Sequence, residues 1–144
     1  MSSSGAIARA LRRMGRDRTP IWYHPAYRLP VTEFGAVGGI EPRRADFVAW
    51  YLLESAAVPA EDFHRPEAIA WSDLARVHSR RLLASLLDPA VLARVFAVDP
   101  SQIAVDAAIE TLRLACGGTL AAARAALQRR GPALNLLGGF HHAA

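Results

Sequence analysis

The chain contains no lysine, so arginine supplies all 17 of its basic side chains. Against 13 acidic residues this leaves a formal net charge of only +4. So small an excess over 144 residues does not by itself indicate a nucleic-acid-binding protein. We interpret the exclusive use of arginine as typical of a GC-rich bacterial genome, and we expect a cytoplasmic protein.

Cysteine and long apolar runs are also scarce. The single cysteine, Cys116, excludes an intrachain disulfide and a cysteine zinc cluster. We interpret it as a small apolar residue on a helix. No apolar run approaches the roughly 18 residues that a membrane-spanning helix needs. An apolar content of 52% over 144 residues predicts one folded domain with its own core.

Carboxylates are missing from the end of the chain, where no Asp or Glu follows Glu110. This stretch holds instead an apolar run at 133–137, two glycines, Phe140, and the pair His141 and His142. The run predicts a short buried strand, and the glycines permit a turn that lets both histidines reach one site. The carboxyl end of a strand is where open α/β sheets bind ligands. Imidazole there suits proton transfer near pH 7 or metal binding, although a bare histidine pair also fits a solvated tail.

Composition divides the chain into a basic leader, residues 1–19, and a domain, residues 20–144. The leader has apolar residues at helical spacing among arginines, which indicates a short amphipathic helix or a frayed segment. Residues 20–23 read as a first strand and residues 25–39 as a loop. Tyr27 and Phe34 lie on that loop, where they either line a ligand channel or fix the loop to the core.

The middle of the chain predicts a series of helices. The first begins at Glu41-Pro42, with Asp46 facing solvent and an apolar face formed by Ala45, Val48, Ala49, Leu52 and Leu53. Residues 66–70 could form a short strand. Further helices are indicated by a cap at Ser72, with Leu74 and Val77 facing inward, and by caps with proline at Asp88-Pro89 and Asp99-Pro100.

The longest helix is predicted to continue to about Arg130. Gly117 and Gly118 lie in its middle, where each costs about 1 kcal/mol in helix propensity. We expect close packing against a neighbouring element there. The order of strand, helices and strand predicts an α/β fold, with the strands near 21–23 and 134–137 side by side in a parallel sheet and apolar throughout.

Several ordered motifs resemble the histone deacetylase superfamily, the arginase-like zinc amidohydrolases. Residues 138–143 read Gly-Gly-Phe-His-His-Ala, which is similar to its Gly-Gly-aromatic-His-His-Ala signature. Residues 112–124 look like the preceding helix, 73–79 like its Leu-x-x-Val-His-Ser segment, and 23–27 like its first strand and loop. The resemblance covers about residues 20–144. It departs at 40–44, where Ile-Glu-Pro-Arg-Arg stands in place of the family's Glu-Arg-Pro-x-Arg.

The resemblance implies the N-terminal part of a three-layer arginase/deacetylase-like fold. By position, His142 would be the general base and His141 its electrostatic or acid partner, while Gly139 and Phe140 would line the acyl-lysine tunnel. The implied substrate is acetyl-lysine, an acetylpolyamine or a small acetylamide. The family's zinc ligands, two aspartates and a histidine, follow the histidine pair, and this chain ends at Ala144. We therefore expect no catalytic zinc and no activity from this chain alone, and self-association through an exposed sheet edge.

A different class of function remains open. Residues 71–87 could form a helix-turn-helix-like unit in a small helical binding module, with Arg76, Arg80 and Arg81 contacting nucleic-acid phosphates or a protein partner. This interpretation leaves the glycine-flanked histidine pair unexplained. His78, at the end of a short helix, is interpreted as a structural hydrogen-bonding residue rather than a catalyst.

Overall fold

The computed structural model describes residues 18–28, 41–96 and 98–138. Most of the basic leader, the loop containing Phe34, and residues 139–144 with the predicted histidine pair therefore lie outside the described residues. In chain order the elements are β1 (Ile21–Trp22), α1 (Arg44–Glu54), β2 (Phe63–His64), α2 (Trp71–Leu74), α3 (Arg80–Ser85), α4 (Pro89–Phe96), α5 (Val105–Arg129) and β3 (Leu134–Asn135). Single 3-10 turns at Ala60–Asp62 and Pro100–Gln102 precede β2 and α5.

The three strands form one parallel sheet in the order β2-β1-β3. Ile21 is in register with Phe63 on one side and with Leu134 on the other. The described part of the chain is thus mixed α/β, and the predicted parallel pairing of the first and last strands is confirmed. The expectation that both strands are apolar throughout is wrong, because Asn135 lies in β3.

Helix α5, 25 residues long, packs against both β1 and β3 and supports two apolar clusters. The first cluster joins α5 to the sheet and α1, and the second joins α5 to α4. Their buried members are Tyr27, Ala45, Leu114, Ala115 and Leu137 in the first, and Leu92, Ala93, Ile103, Ala108 and Ile109 in the second. The sheet and the helices on its flank are therefore held together by one long helix.

Helix α1 differs from its prediction in which side chains it buries. Ala45 and Ala49 are buried as expected, but Val48 and Leu53 are 45% and 41% exposed. Asp46, predicted to face solvent, is buried instead. The apolar pattern could not reveal this, because Asp46 is buried through hydrogen bonds and ion pairs rather than through apolar contact.

The segment from β2 to α3 also differs from its prediction. The short strand is Phe63–His64, and residues 66–70 form no strand. Helix α2 has Ala70 as its N-cap rather than Ser72. Val77, predicted to face inward, is 76% exposed. Helices α2 and α3 bury no residue fully, so the helical spacing of their apolar residues predicted deeper packing than the structure shows.

The proline-linked helix starts agree more closely with the sequence-based prediction. Helix α4 begins at Pro89 as predicted. Asp99 forms a capping box with Gln102, but it caps a single 3-10 turn, and α5 begins separately at Val105. At its other end α5 is closed by Arg130 in the left-handed conformation, in agreement with the predicted end near this residue. Among the helices described, none is both long and apolar enough to cross a bilayer.

Candidate functional site at the carboxyl end of the sheet

The carboxyl ends of β1 and β3 lie at the same edge of the sheet because the strands are parallel and in register. β1 leads there into the loop of Tyr23 to Arg28, and β3 leads into Leu136, Leu137 and Gly138. The backbone N–H of Leu136 still donates to the carbonyl of Trp22 at 3.0 Å, which extends the pairing past the strand itself. In open α/β sheets this edge is where ligands bind.

Asn135 is the polar centre of this edge. Its Nδ2 lies within hydrogen-bonding distance of three acceptors, the carbonyls of Ala115 (2.9 Å) and Leu137 (2.6 Å) and Oγ1 of Thr119 (3.1 Å). Its Oδ1 accepts a hydrogen bond from the hydroxyl of Tyr27 at 2.8 Å. One side chain therefore connects the end of β3 to helix α5 and to the loop after β1. The residues joined in this way, Tyr27, Ala115, Thr119, Asn135 and Leu137, form the Asn135 cluster.

Tyr27 is fully buried, with none of its surface exposed. Its hydroxyl also lies 3.2 Å from the carbonyl oxygen of Leu114, and burial raises the pKa of the phenol to about 12. The same loop is held to α5 a second time, because the hydroxyl of Thr111 donates to the carbonyl of Ala26 at 3.2 Å. Of the two roles left open for Tyr27, the structure supports the one in which it fixes the loop to the core.

The paired glycines of α5 make this close approach possible. A Cβ at Gly118 would collide with the Tyr27 hydroxyl and the Asn135 side chain, and one at Gly117 would collide with the backbone carbonyl of Glu67. The close packing predicted for these glycines is thus confirmed on two sides of the helix. Gly138 differs, because a Cβ there would meet no described atom within 4 Å.

A second polar cluster, centred on Asp46, fixes the start of the same loop to helix α1. The Asp46 carboxylate accepts hydrogen bonds from the hydroxyl of Tyr23 at 2.8 Å and from Nε of Arg28 at 2.9 Å. Nε of Arg43 lies 3.4 Å away. Burial, together with the hydrogen bond to Asp46, raises the pKa of Tyr23. Polar contacts to Asp46, which are partly buried, therefore hold both Tyr23 and Arg28 at the two ends of the loop after β1.

His24 follows β1 in the loop that both clusters hold. Its Nδ1 accepts a hydrogen bond from the backbone N–H of Ala26 at 3.0 Å. The neutral ring therefore carries its proton on Nε2. The His24 side chain is half-buried.

The sequence-predicted site residues are distributed unevenly over the structure. Gly139, Phe140, His141 and His142 lie outside the described residues, which end at the carboxyl edge described above. His78 is exposed after α2 and lies away from the Asn135 cluster in sequence and in its contacts. Cys116 is partly buried on α5, and burial raises the pKa of its thiol, in agreement with an apolar rather than nucleophilic role.

Zinc does not fit the part of the chain that the structure describes. Within residues 18–28, 41–96 and 98–138, no group of three His, Cys, Asp or Glu side chains is placed to hold a metal ion. A catalytic zinc site needs three protein ligands.

Comparison with known proteins yields no family model that matches the chain and no curated protein that matches it significantly.

The sequence did not predict two of the residues that organise the edge of the sheet. The sequence pattern places Asn135 within an apolar run, although a lone amide in a buried strand indicates a hydrogen-bonded centre. Asp46 gave no comparable signal, because its partners Tyr23 and Arg28 lie on a distant segment.

Proposed function

We propose that this chain is the N-terminal part of a histone-deacetylase-like domain that hydrolyses acetyl-lysine, an acetylpolyamine or a small acetylamide. The observation that carries the proposal is the parallel pairing of β1 with β3. It supports a site at the carboxyl edge of the sheet, where the chain continues from Gly138 into the Gly-Phe-His-His sequence. The three-layer arginase/deacetylase-like arrangement of the whole domain is part of the same proposal.

The Asn135 cluster supports this proposal through positioning. A general base must be held within hydrogen-bonding reach of the proton that it removes, which requires a backbone of fixed direction. The hydrogen bonds of Asn135 to α5 and to Leu137 fix the last described turn of the chain before the histidine pair. The 2.8 Å bond from Tyr27 adds the loop after β1 to the same support.

Within this proposal His142 is the general base and His141 assists it electrostatically or as an acid. Gly139 and Phe140 line the passage for the acyl-lysine side chain. In the resembled family a zinc ion holds the attacking water, and its ligands follow the histidine pair in sequence. Since the described residues offer no such ligand set, we assign no step of the reaction to a metal held by them.

The alternative, a helical module that binds nucleic acid or a protein, stays a prediction with less support. Helices α2 and α3 span four and six residues, each under two turns. A recognition helix that enters the major groove needs a longer exposed surface. A DNA titration at increasing salt would test it, because phosphate contacts by Arg76, Arg80 and Arg81 require affinity that falls steeply with salt.

The proposed function is tested by acetyl-lysine peptide hydrolysis with added zinc. The assay is run on the 144-residue chain and on the same chain joined to, or mixed with, a carboxyl-terminal half of a deacetylase domain. We expect turnover only in the second case. His142→Ala should then lower the rate by about 10²–10⁴-fold, the usual loss for a positioned base.

The matched controls are Cys116→Ala and His78→Ala, which remove two other titratable side chains. Both should leave the rate within a few-fold of the parent, because neither contacts the Asn135 cluster by a hydrogen bond. Robust turnover by the chain alone would contradict the proposal that it is only the N-terminal part of a catalytic domain. A completed domain whose rate is unchanged by His142→Ala would contradict the assignment of the base.

A further inference from the structure

An apolar cavity of about 300 Å³ lies between the α2–α3 segment and helices α4 and α5. Its volume is at the lower end of the range of about 300–1,000 Å³ found for small-molecule sites. The walls are mainly aliphatic, and they include Leu74, Leu83, Leu86, Leu92, Ile109 and Leu112. The cavity is separate from the Asn135 cluster, since none of that cluster's hydrogen-bonding residues lines it.

The cavity exists because the α2–α3 segment packs incompletely. Neither α2 nor α3 has a fully buried residue. Leu82, which lines the cavity from α3, is 46% exposed, whereas Leu92 on the opposite wall is fully buried. A void of this size lined by leucines forfeits dispersion contacts that a suitable apolar occupant would restore.

The polar side chains that line the cavity carry hydrogen-bond donors, which suit a ligand with an acceptor or an anionic group. Besides the aliphatic residues, the cavity is lined by Arg113, His78, Trp71 and Cys116. Arg113, His78 and Trp71 each carry an N–H donor, and the thiol of Cys116 stays protonated near pH 7 because burial raises its pKa. Among the described residues, no carboxylate, amide or hydroxyl side chain lines the cavity.

Arg113 is held in place for such a role. Its Nε donates to the carbonyl of Ile69 at 3.0 Å, and its guanidinium lies 5.3 Å from the centre of the Trp71 ring. Its Nη1 also donates to the carboxylate of Glu110 at 3.2 Å, and that side chain is 51% exposed. Five N–H donors belong to a guanidinium, so three remain for a ligand. The Arg113 side chain is only 24% exposed, which reduces the competition from water.

We propose that this cavity binds a linear aliphatic carboxylate, with its chain among the leucines and its carboxylate paired with Arg113. The proposal does not rest on the deacetylase-like function, since it uses neither the carboxyl edge of the sheet nor the histidine pair. The chemistry matches on both counts: the walls exclude water from the chain, and the donors at the cavity meet the anionic head.

The experiment is a calorimetric titration of the 144-residue chain with decanoate, 1-decanol and butyrate. We expect saturable one-to-one binding of decanoate, at least tenfold weaker binding of decanol, which lacks the charge, and no measurable binding of butyrate, which lacks the chain. Arg113→Gln should weaken decanoate binding about tenfold or more and leave decanol unchanged. Arg124→Gln, on the same helix but outside this cavity, is the matched control and should change neither affinity.

A second variant tests the location without touching the arginine. Leu82→Trp, at a partly exposed position of the lining, should fill the cavity and abolish binding of decanoate and of decanol. Leu127→Trp, at an 80% exposed position on α5, should leave both unchanged. Circular dichroism confirms that each variant is folded. Absence of saturable binding, equal affinity for decanoate and decanol, or binding that survives Leu82→Trp would each overturn the proposal.

Discussion

The hydroxyl of Tyr27 donates a 2.8 Å hydrogen bond to Oδ1 of Asn135, across 108 residues of sequence. Through this contact the loop after β1 and the end of β3 share one buried polar connection on α5. Loss of the Tyr27 hydroxyl removes the donor to Oδ1 of Asn135, and loss of Asn135 leaves that hydroxyl with only its 3.2 Å contact to the Leu114 carbonyl. The carboxyl edge of the sheet therefore depends on the pair as a unit.

The first prediction is that these two residues are energetically coupled. Tyr27→Phe should lower the free energy of unfolding by about 1–2 kcal/mol, and Asn135→Ala by about 2–3 kcal/mol, because each leaves buried polar groups unpaired. The double variant should lose roughly 1 kcal/mol less than the sum of the two. Urea unfolding monitored by circular dichroism measures all three values.

Tyr51→Phe is the control for this cycle, since Tyr51 is 62% exposed. It should change the free energy of unfolding by less than about 0.5 kcal/mol. Additive losses for Tyr27 and Asn135 would show that the hydrogen bond between them contributes nothing specific.

The second prediction concerns the glycines of α5, where helix propensity and packing act in opposite directions. Propensity alone would make Gly117→Ala and Gly118→Ala stabilising by about 1 kcal/mol each. We expect both to destabilise by roughly 1–3 kcal/mol, the usual cost of overpacking. The added Cβ would collide with the Glu67 carbonyl in one case and with the Tyr27 and Asn135 side chains in the other.

Gly131→Ala provides the matched comparison, because its nearest contact would be 3.9 Å away. It should leave the free energy of unfolding within about 0.5 kcal/mol of the parent. Stabilisation by either helical substitution would mean that propensity outweighs the close approach.

Sequence patterns predicted the elements whose causes are local. The proline-linked start of α4, the end of α5 near Arg130 and the strand character of the two terminal runs all depend on neighbouring residues. The parallel pairing of β1 with β3 followed from chain order and connection rules. The need for glycine at 117 and 118 was also visible, because two glycines in a helix interior demand a reason outside the helix.

What the sequence could not predict depends on contacts between distant segments. Asp46 is buried because Tyr23 and Arg28 reach it from the loop after β1. Val77 is 76% exposed, and neither α2 nor α3 buries a residue fully, because this segment packs only loosely on the rest of the domain. The catalytic roles of His141 and His142 stay predictions, since they were based on a motif and lie outside the described residues.

The third prediction is self-association of the purified chain. The sequence suggested the sheet edge, and Leu134 of β3 is indeed 48% exposed. Helix α1 presents a larger apolar surface, with Phe47, Trp50 and Tyr51 exposed by 51%, 63% and 62%. Exposed apolar patches promote association. We therefore expect concentration-dependent oligomers in sedimentation velocity.

Charge substitutions distinguish association through helix α1 from association through the sheet edge. Trp50→Glu should shift the distribution towards monomer more than Leu134→Glu does, because it interrupts three neighbouring aromatic side chains. Leu127→Glu, at an isolated exposed position on α5, should have no effect. If Leu134→Glu alone dissociates the oligomers, the sheet edge is the interface. A compact monomer at every concentration would refute association through either surface.

The fourth prediction is a loss of stability in alkali that can be assigned to few groups. With no lysine in the chain, cysteine and tyrosine are the residue types whose ordinary pKa values lie between about 8 and 11, and the chain has one cysteine and three tyrosines. Burial raises the pKa of Tyr27 from its ordinary value of 10 to about 12, and it also raises the pKa values of Tyr23 and Cys116. All three groups therefore keep their protons longer in the folded state than in the unfolded state.

The sign of the effect follows from proton binding. Between pH 10 and 12 the unfolded chain has lost the Tyr27 proton while the folded chain retains it, so stability falls as pH rises through this window. A rise of two pKa units corresponds to about 2–3 kcal/mol, fully present below pH 10 and lost by about pH 12. Urea unfolding at intervals from pH 8 to 12 should show this decline. Tyr27→Phe should make it shallower, whereas Tyr51→Phe should leave its slope unchanged; equal slopes for all three proteins would contradict the assignment to Tyr27.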